Sequence, residues 1–368
     1  MASSVGEFSH KPLVVAVGPL PPPFHGQAAT TQAMLDYVGS CVRLHINNVS
    51  PGSVGGIRGH LLKAYRTFLA MVQLAVKSTG DRKRVLYMPA DGGRGMLFTI
   101  AVACIARLFR YRIFLHHHSF AYIDRHSVLM AVLGRVMSRS DTHIVLCDAM
   151  AAGLRSRYTA LVGAPMMELS SAAFLEAFPK RGQRNRGYLQ MGFLSNLIVE
   201  KGLDTTIDLL RAARREGLPV RLLLAGSSSD KRATQIVQSA LLEFGEAIEY
   251  LGRVSEQGKV EFFRSIDAFV FPSRYINEAQ PRAIIESLCF GVPVVTIARS
   301  CITSDIGEGC GICVPQDADF VSSALPLIRS WCSNPDSMAR YSTAALNRAA
   351  MLHEVGVKHL AAVVKAFG

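Results

Sequence analysis

The sequence is poor in aromatic residues and has no apolar run long enough to cross a bilayer. Aromatic residues make up 8% of its 368 residues, and only one of them is tryptophan. The longest apolar run, at 96–106, falls well short of the roughly 20 residues that span a membrane. The N-terminus lacks a basic segment followed by an apolar signal core. These absences predict a cytoplasmic globular chain, and a hydrophobic content of 49% suits about two domains.

Several fingerprints of function are also missing. Neither GxGxxG nor a Walker loop occurs, which argues against nucleotide-dependent dehydrogenases and phosphoryl transfer. The basic residues are not interleaved with aromatic ones and no nucleic-acid-binding motif is present, so we expect no nucleic-acid partner. The CGIC sequence at 310–313 has redox or zinc spacing, but no second cysteine pair accompanies it, and we interpret it as part of a strand. The D-x-D sequence at 317–319 precedes a helix, where we expect Asp317 to be the N-cap.

Positive charge is concentrated in the first half of the chain. The net charge is +12, and residues 1–180 contain 19 Lys and Arg against 9 Asp and Glu, whereas residues 181–368 contain 21 against 19. Such a basic surface attracts nucleic acid, anionic lipid or a phosphorylated substrate, and a solubilising surface is the alternative.

Short apolar runs alternate with helical patterns in both halves, which is typical of parallel sheets whose strands are connected by helices. We predict an α/β protein of two tandem Rossmann-like, doubly wound domains that face each other across a cleft. The domains are predicted at 1–175 and 176–350, with a C-terminal helix at 351–368 that packs back on the first domain. The predicted strands are 13–19, 42–49, 84–89, 112–118 and 142–147 in the first domain and 187–194, 221–226, 248–254, 267–273 and 293–298 in the second.

The segment 269–295 carries two glutamates, Glu278 and Glu286, on either side of a predicted helix start. Pro281 suits the first turn of that helix, whose N–H groups favour a phosphate. From inside the helix, Glu286 can accept hydrogen bonds from a ribose diol, while Glu278 in the preceding loop reaches the group beyond the phosphates. The pattern favours a nucleoside diphosphate with a substituent, and a glutamate that only caps the helix or pairs with a neighbouring arginine is the alternative.

Three further residues lie at predicted strand ends. Lys201 begins a helix that follows a strand, where an ammonium group can neutralise a diphosphate. Gly226 forms a turn after the strand RLLLA, and Gly26 in the first loop permits close approach of strand and helix backbones. A single glycine is weak evidence for a phosphate site, so Gly26 is only a candidate.

The sequence NEAQPRAIIESLCFGVPVV at 277–295 resembles the E-x7-E motif of glycosyltransferase family 4, whose members are retaining, nucleotide-sugar-dependent enzymes with the two-domain GT-B fold. Glu278 and Glu286 occupy the two glutamate positions. EKGLD with Lys201, LLLAG with Gly226, IDAFVFPS and the His-Gly pair of the first loop occur in the family's order. The resemblance covers most of the chain and is strongest over 190–315.

The resemblance implies roles for these residues. Glu286 would bind the donor ribose and Glu278 would contact the sugar hydroxyls. Lys201 would hold the diphosphate, together with backbone amides near Ala279 and Gln280.

One position departs from the family pattern. The family often has an arginine a few residues before the lysine, and this chain has Asn196 there. A hydrogen bond from Asn196, or the charge of Arg253 in a neighbouring loop, is the expected compensation.

Three consecutive histidines close a predicted strand of the first domain. Alternation places His116 and His118 on one face and His117 on the other. Consecutive strand positions cannot all converge on one ion, so we expect no metal site here. The resemblance places a histidine near the transferred sugar, and His118 matches by position. His116 is the alternative, and His25 in the first loop is another candidate.

The implied reaction transfers a glycosyl group from a nucleotide diphosphate to an acceptor hydroxyl, with Glu278, Lys201 and His118 as the catalytic candidates. No metal and no other cofactor is expected. Two alternatives remain open: a GT-B nucleotide-sugar epimerase, which would need extra catalytic acids, and a catalytically silent binding or scaffold protein, which would not need the two glutamates and the lysine together.

The basic first domain favours a carbohydrate or polyprenyl-diphosphate-linked acceptor and a peripheral position on the inner membrane face, in surface polysaccharide biosynthesis. The alternative is that the apolar face of 61–76 packs on the sheet. The basic residues on or beside this apolar helix are Arg58, Lys63, Arg66, Lys77, Arg82, Lys83 and Arg84.

Overall fold

A computed structural model describes residues 12–22, 26–78, 83–175, 186–228 and 230–368. His25 and Arg82, both named from the sequence, lie outside these residues. The chain divides into two compact units. Residues 1–174 together with 355–368 form the first unit, and residues 175–354 form the second.

The first unit is built on a six-stranded sheet with the strand order β2-β1-β3-β4-β5-β6, in which all neighbours are parallel. Its strands are β1 Leu13–Gly18, β2 Arg43–Asn48, β3 Arg84–Pro89, β4 Arg112–His116, β5 Thr142–Val145 and β6 Met166–Glu168. Its helices are α1 Gly26–Gly39, α2 Gly56–Val76, α3 Met96–Leu108, α4 Ala121–Asp124, α5 Val128–Val136 and α6 Asp148–Arg157.

The second unit has a six-stranded parallel sheet with the order β12-β11-β10-β7-β8-β9. Its strands are β7 Leu189–Leu194, β8 Val220–Ala225, β9 Ile248–Tyr250, β10 Ala268–Phe271, β11 Val294–Ile297 and β12 Gly311–Val314. Its helices are α7 Leu203–Arg215, α8 Lys231–Phe244, α9 Glu256–Ser265, α10 Arg282–Cys289, α11 Ile302–Ile306, α12 Phe320–Ser333 and α13 Pro335–Phe367, the last of which ends in the first unit.

The core of the first unit includes the C-terminal end of the chain. Val14, Tyr87 and Phe114 of the central strands pack with Val363 and Phe367 of α13 in one buried cluster. The rings of Phe114 and Phe367 meet edge to face with centroids 4.6 Å apart. Such a pair stabilises by about 1 kcal/mol beyond the burial of its area.

Two tandem Rossmann-like sheets confirm the predicted α/β class. All ten predicted strands are present, and eight of them end one to four residues earlier than predicted. CGIC enters β12 as predicted, and burial raises the pKa of Cys313 to about 11. The short strand β6 was not predicted. Within the described residues, no helix is both long and apolar enough to cross a membrane.

The expected N-cap at Asp317 is wrong by two residues. The cap of α12 is Asp319, whose carboxylate accepts a hydrogen bond from the backbone N–H of Ser322 at 2.7 Å. That bond lowers the pKa of Asp319. Asp317 and Asp319 both match the residue preference for an N-cap. They differ only in which carboxylate reaches the free backbone N–H groups in the first turn of α12.

Candidate active site

The strand order of the second sheet defines where a ligand can bind. From the two central strands, the chain proceeds outward to one edge through β7, β8 and β9 and to the other edge through β10, β11 and β12. The loops that leave β7 and β10 therefore diverge at the carboxyl edge of the sheet. Such a switch point is where open α/β sheets bind their ligands. Lys201 follows β7, and Glu278 follows β10.

Lys201 and Glu278 meet at this switch point. Lys201 Nζ lies 2.8 Å from Glu278 Oε2, and Ser273 Oγ donates to the same oxygen at 3.1 Å. The side chains of the lysine and the glutamate are only 19% and 10% exposed. The ammonium group also lies 5.2 Å from the ring centroid of Tyr275. A diphosphate that binds Lys201 must therefore compete with, or share the lysine with, a partly buried carboxylate.

Glycine brings the two loops together. Gly202 follows Lys201 with φ +87°, and a Cβ atom there would lie 2.4 Å from the carbonyl oxygen of Pro272. The backbone N–H of Arg274 donates to the carbonyl of Glu200 at 2.8 Å. Only glycine fits this close approach, which sets the position of Lys201 opposite Glu278.

Glu286 lies on α10 beside the buried residues Ile284 and Ile285, as the sequence predicted. Its Oε1 atom lies 3.1 Å from Lys259 Nζ and 3.7 Å from Arg282 Nε. Burial opposes the charge of Lys259, but the attraction of Glu286 and Glu256 outweighs burial and raises the lysine pKa. The two cations therefore hold the carboxyl group of Glu286 in a fixed position.

Lys259 is a site residue that sequence reasoning missed. It lies on α9, and no local pattern pairs that helix with α10. The sequence indicated only that a cation could pair with Glu286. Arg282, four residues before Glu286, was the nearer candidate for that cation.

The loop that precedes α10 is fixed through its backbone. Ser300 Oγ donates to the carbonyl of Glu278 at 2.8 Å, and the N–H of Cys301 donates to the carbonyl of Ala279 at 3.1 Å. The side chain of Gln280 donates to Asp305 at 2.8 Å. Ala279 and Gln280 thus lie directly before the first turn of α10, as predicted.

Gly226, Asn196 and Arg253 lie at the carboxyl ends of β8, β7 and β9. Gly226 has φ +129°, and its N–H donates to the carbonyl of Gly252 at 2.7 Å. A Cβ atom at Gly226 would lie 1.7 Å from the carbonyl oxygen of Ser195. Asn196 and Arg253, which follow Ser195 and Gly252 in sequence, have exposed side chains.

The expected close approach at Gly26 is not found. A Cβ atom at this position would have no atom of the described chain within 4 Å, so the packing of strand and helix does not require glycine there. The tight position is Gly18 at the end of β1, where a Cβ atom would lie 2.7 Å from the ring of Pro89. The close contact is therefore at Gly18 and not at Gly26, and the sequence alone could not show which of the two glycines is tightly packed.

The three histidines alternate as predicted. His116 is fully buried, and its Nδ1 atom lies 2.8 Å from the Tyr87 hydroxyl, while its ring centroid lies 4.0 Å from that of His118. His117 faces the other way and contacts Tyr122 and His143. His118 is half-buried and is the most exposed of the three. Accessibility therefore favours His118 over His116 as the residue that contacts a ligand.

His117 and His143 form a buried pair, with His117 Nε2 and His143 Nδ1 2.9 Å apart. Burial lowers the pKa of His143 to about 4, and burial, followed by His143, lowers that of His117 well below its usual value. Both rings are therefore neutral in the folded protein at pH 7 and charge readily only when the chain unfolds.

Acid is expected to destabilise the first unit through these histidines. As pH falls from about 6.5 to 4, the unfolded chain binds protons that the folded unit does not, so stability falls by about 3 kcal/mol for His143 alone. The measurement is the free energy of urea unfolding against pH. His143→Asn, which can keep the bond to His117, should show a shallower slope, and an unchanged slope would contradict the assignment.

Two of the basic residues expected at the surface of α2 point inward. Lys63 pairs with Asp91 at 2.8 Å and lies 5.3 Å from the ring centroid of Phe98, and Arg66 donates to the carbonyl of Ser50. Arg58 and Lys77 are exposed. Helix periodicity distinguishes the inward-pointing Lys63 from the exposed Arg58 and Lys77. Lys63 lies four residues from Gly59 and from Thr67 and is therefore on the same side of α2 as the buried residues.

The other two basic residues bond to backbone. Lys83 Nζ donates to the carbonyl of Gly368 at 2.6 Å, and Arg84 donates to that of Phe109 at 3.1 Å. No cluster of histidine, cysteine, aspartate or glutamate suited to a metal ion occurs in the part of the chain that the structure describes.

The sequence model of the family described as Glycosyl transferases group 1 matches residues 176–348. A comparison with curated protein sequences gave no match. Among solved structures, Alr3699/HepE of Anabaena, in complex with UDP, is similar with a TM-score of 0.73 and 12% identity, over 96% of this chain and 100% of that one. Sucrose-phosphate synthase of Thermosynechococcus elongatus is similar with a TM-score of 0.72 and 13% identity, over 96% and 98%.

The domain match and the two parallel sheets define the class of protein, which is a glycosyltransferase enzyme with the GT-B fold. The matched residues 176–348 lie within the second unit, which also contains the Lys201–Glu278 pair.

Proposed function

We propose that the chain transfers a glycosyl group from a nucleoside diphosphate sugar to an acceptor hydroxyl, with retention of configuration at the anomeric carbon. The observation that carries the proposal is the Lys201–Glu278 ion pair at the switch point of a glycosyl transferase domain. Solved structures of the similar HepE contain UDP, or UDP-glucose, which supports a donor of this class.

In this proposal Lys201 and the amides of Ala279 and Gln280 hold the donor diphosphate at the start of α10. A helix start favours anions because its N–H groups have no partner within the helix. Asn196, Gly226 and Arg253 line the neighbouring strand ends. Since Lys201 is paired with Glu278 in the structure, the diphosphate either shares the lysine with that carboxylate or replaces it as the charge partner.

Glu278 then contacts the hydroxyls of the transferred sugar, and Glu286 binds the ribose. Lys259 and Arg282 contact Oε1 of Glu286 and fix the orientation of its carboxylate. A hydrogen bond to an ionised group contributes about 1.5–3 kcal/mol, so a correctly oriented carboxylate adds usefully to donor affinity.

The reaction passes through an oxocarbenium-like transition state in which charge develops on the departing diphosphate. Lys201 and the start of α10 stabilise that charge, which a metal ion does in other enzymes. We propose that no metal is required and that treatment with EDTA leaves turnover unchanged. His118 of the first unit is the proposed contact of the transferred sugar, and the acceptor attacks from the same face as the leaving group.

The acceptor in this proposal is a carbohydrate linked to a polyprenyl diphosphate, in the biosynthesis of a surface polysaccharide. The charge of the first half of the sequence, 19 basic against 9 acidic residues over 1–180, supports an anionic, membrane-bound acceptor. The enzyme would act in the cytoplasm, on the inner face of the membrane.

The substitution Glu286→Ala is expected to weaken binding of the donor nucleotide about 10- to 150-fold, which corresponds to about 1.5–3 kcal/mol for one charge-assisted hydrogen bond. The measurement is calorimetric titration with the nucleoside diphosphate. Glu256→Ala is a matched control, because Glu256 also pairs with Lys259, at 2.9 Å, but is 80% exposed. Equal affinity of the Glu286→Ala and wild-type proteins would refute the ribose assignment.

A further inference from the structure

Helix α2 presents its large apolar residues to solvent instead of to the sheet. Ile57 is 80% exposed, Leu61 65% and Phe68 57%. With Tyr65, Val72 and Val76, which are also exposed, they recur every three or four residues and form one line about 28 Å long at the helical rise of 1.5 Å per residue. We call these six residues the outer stripe: Ile57, Leu61, Tyr65, Phe68, Val72 and Val76.

The opposite side of α2 packs on the unit mainly through small residues, with Leu74 as the one large apolar residue that is buried. Gly59, Thr67, Ala70 and Leu74 are its buried positions. A Cβ atom at Gly59 would lie 2.3 Å from the carbonyl oxygen of Val54, in the turn that leads into α2. The sequence left open that the apolar face of 61–76 packs on the sheet. The structure places most of the large apolar side chains of this helix on the exposed face.

The neighbouring helices also expose large apolar residues. Helix α3 packs beside α2, and α5 packs beside α3. Leu97 and Leu108 of α3 are 55% and 71% exposed, and Val128 of α5 is 71% exposed. An exposed apolar line as long as the outer stripe, beside helices that expose further apolar residues, indicates a binding site.

The charges of these helices have one sign. Neither α2, α3 nor α5 contains an aspartate or a glutamate. Arg58 at the start of α2, Arg107 in α3 and Arg135 in α5 are exposed, and Lys77 follows α2 directly. A partner must therefore accept apolar side chains and also carry negative charge. A second copy of the chain would place like charges against each other.

We infer that the outer stripe, with the adjoining exposed residues of α3 and α5, binds the surface of an anionic lipid bilayer, with α2 lying in the plane of the interface. Apolar side chains enter the boundary between headgroups and acyl chains, and the basic residues contact anionic headgroups. The inference rests on the proposed function in one respect, since a lipid-linked acceptor gives the enzyme a reason to be at the membrane.

The test is co-sedimentation of the purified full chain with vesicles of phosphatidylcholine, with and without phosphatidylglycerol. The wild-type protein is expected to sediment with phosphatidylglycerol vesicles at low salt and to be released as salt rises, because salt screens the attraction. The triple substitution Ile57→Gln, Leu61→Gln and Phe68→Gln is expected to lower the bound fraction at least about tenfold. Leu242→Gln, at a leucine of α8 that is 88% exposed, is the matched control and should bind like wild type.

A second readout places the stripe in the bilayer directly. Tyr65→Trp adds an exposed fluorophore to a chain whose own Trp331 is 4% exposed. Its emission is expected to shift to shorter wavelength with phosphatidylglycerol vesicles and to remain unchanged with phosphatidylcholine alone.

Three outcomes would overturn the inference. They are no sedimentation of the wild type, equal sedimentation of the triple variant, and a protein dimer that the triple substitution dissociates without any effect of lipid. Titration of each variant with nucleoside diphosphates separates this inference from the proposed function. Donor binding without vesicle binding refutes only the membrane surface, and vesicle binding without donor binding refutes only the transferase assignment.

Discussion

Lys201→Met is expected to lower kcat about 10²- to 10³-fold, the loss observed when one preorganised donor to a developing negative charge is removed. In the proposed mechanism, Lys201 offsets the charge that appears on the leaving diphosphate. That charge grows toward the transition state, so kcat should fall more than affinity for the donor does. The measurement is initial-rate kinetics with the nucleotide sugar whose diphosphate binds in titration.

Two controls separate catalysis from folding in this experiment. Lys201→Met leaves Glu278 partly buried without its cation, which alone can destabilise the unit. The double variant Lys201→Met/Glu278→Gln removes that charge and should be as stable as wild type but no more active than the single variant. Arg211→Met on α7 breaks an exposed ion pair with Glu243 of α8 and should leave kcat unchanged. A Lys201→Met enzyme with normal kcat would exclude the assigned role.

Gly226→Ala is expected to destabilise the second unit by about 3 kcal/mol or more. The new Cβ atom would lie 1.7 Å from the carbonyl oxygen of Ser195, and the residue would keep φ +129°, which L-residues rarely adopt. Backbone strain and overpacking each cost about 1–3 kcal/mol, and here the obstacle is backbone, which cannot rotate away as a side chain does. The measurement is urea unfolding monitored by circular dichroism.

Gly217→Ala is the matched control for this prediction. Gly217 also has positive φ, +72°, but a Cβ atom there would have no neighbour within 4 Å. It should therefore show only the cost of the left-handed backbone, about 1–2 kcal/mol. If Gly226→Ala and Gly217→Ala lower the free energy of unfolding equally, the close approach of Gly226 to Ser195 does not stabilise the packing between the loops that follow β7 and β8.

The sequence predicted the elements and residues that follow from local pattern. Alternating apolar runs predicted ten of the twelve strands, and the spacing of Glu278 and Glu286 around Pro281 predicted the start of α10. Strand β6, Met166–Glu168, has only three residues, and the equally short β9 was predicted because the apolar pattern continues beyond it over 251–254.

What the sequence could not predict depends on contacts between distant segments. The pair of Lys201 and Glu278 joins residues 77 positions apart, and Lys259 reaches Glu286 from another helix. The sequence contained all four residues but no information about which charges meet. The sequence likewise did not determine which face of α2 packs on the sheet. The buried side consists mostly of small residues, and the larger apolar residues lie on the exposed side.

The central claim is that the second unit binds a nucleoside diphosphate at the switch point between β7 and β10. The most direct measurement is calorimetric titration of the full chain with UDP, GDP, ADP and dTDP, repeated with Glu286→Ala. We expect one of the four diphosphates to bind selectively and Glu286→Ala to weaken its binding. If the folded wild-type protein binds none of the four, the second unit has no donor site of this kind.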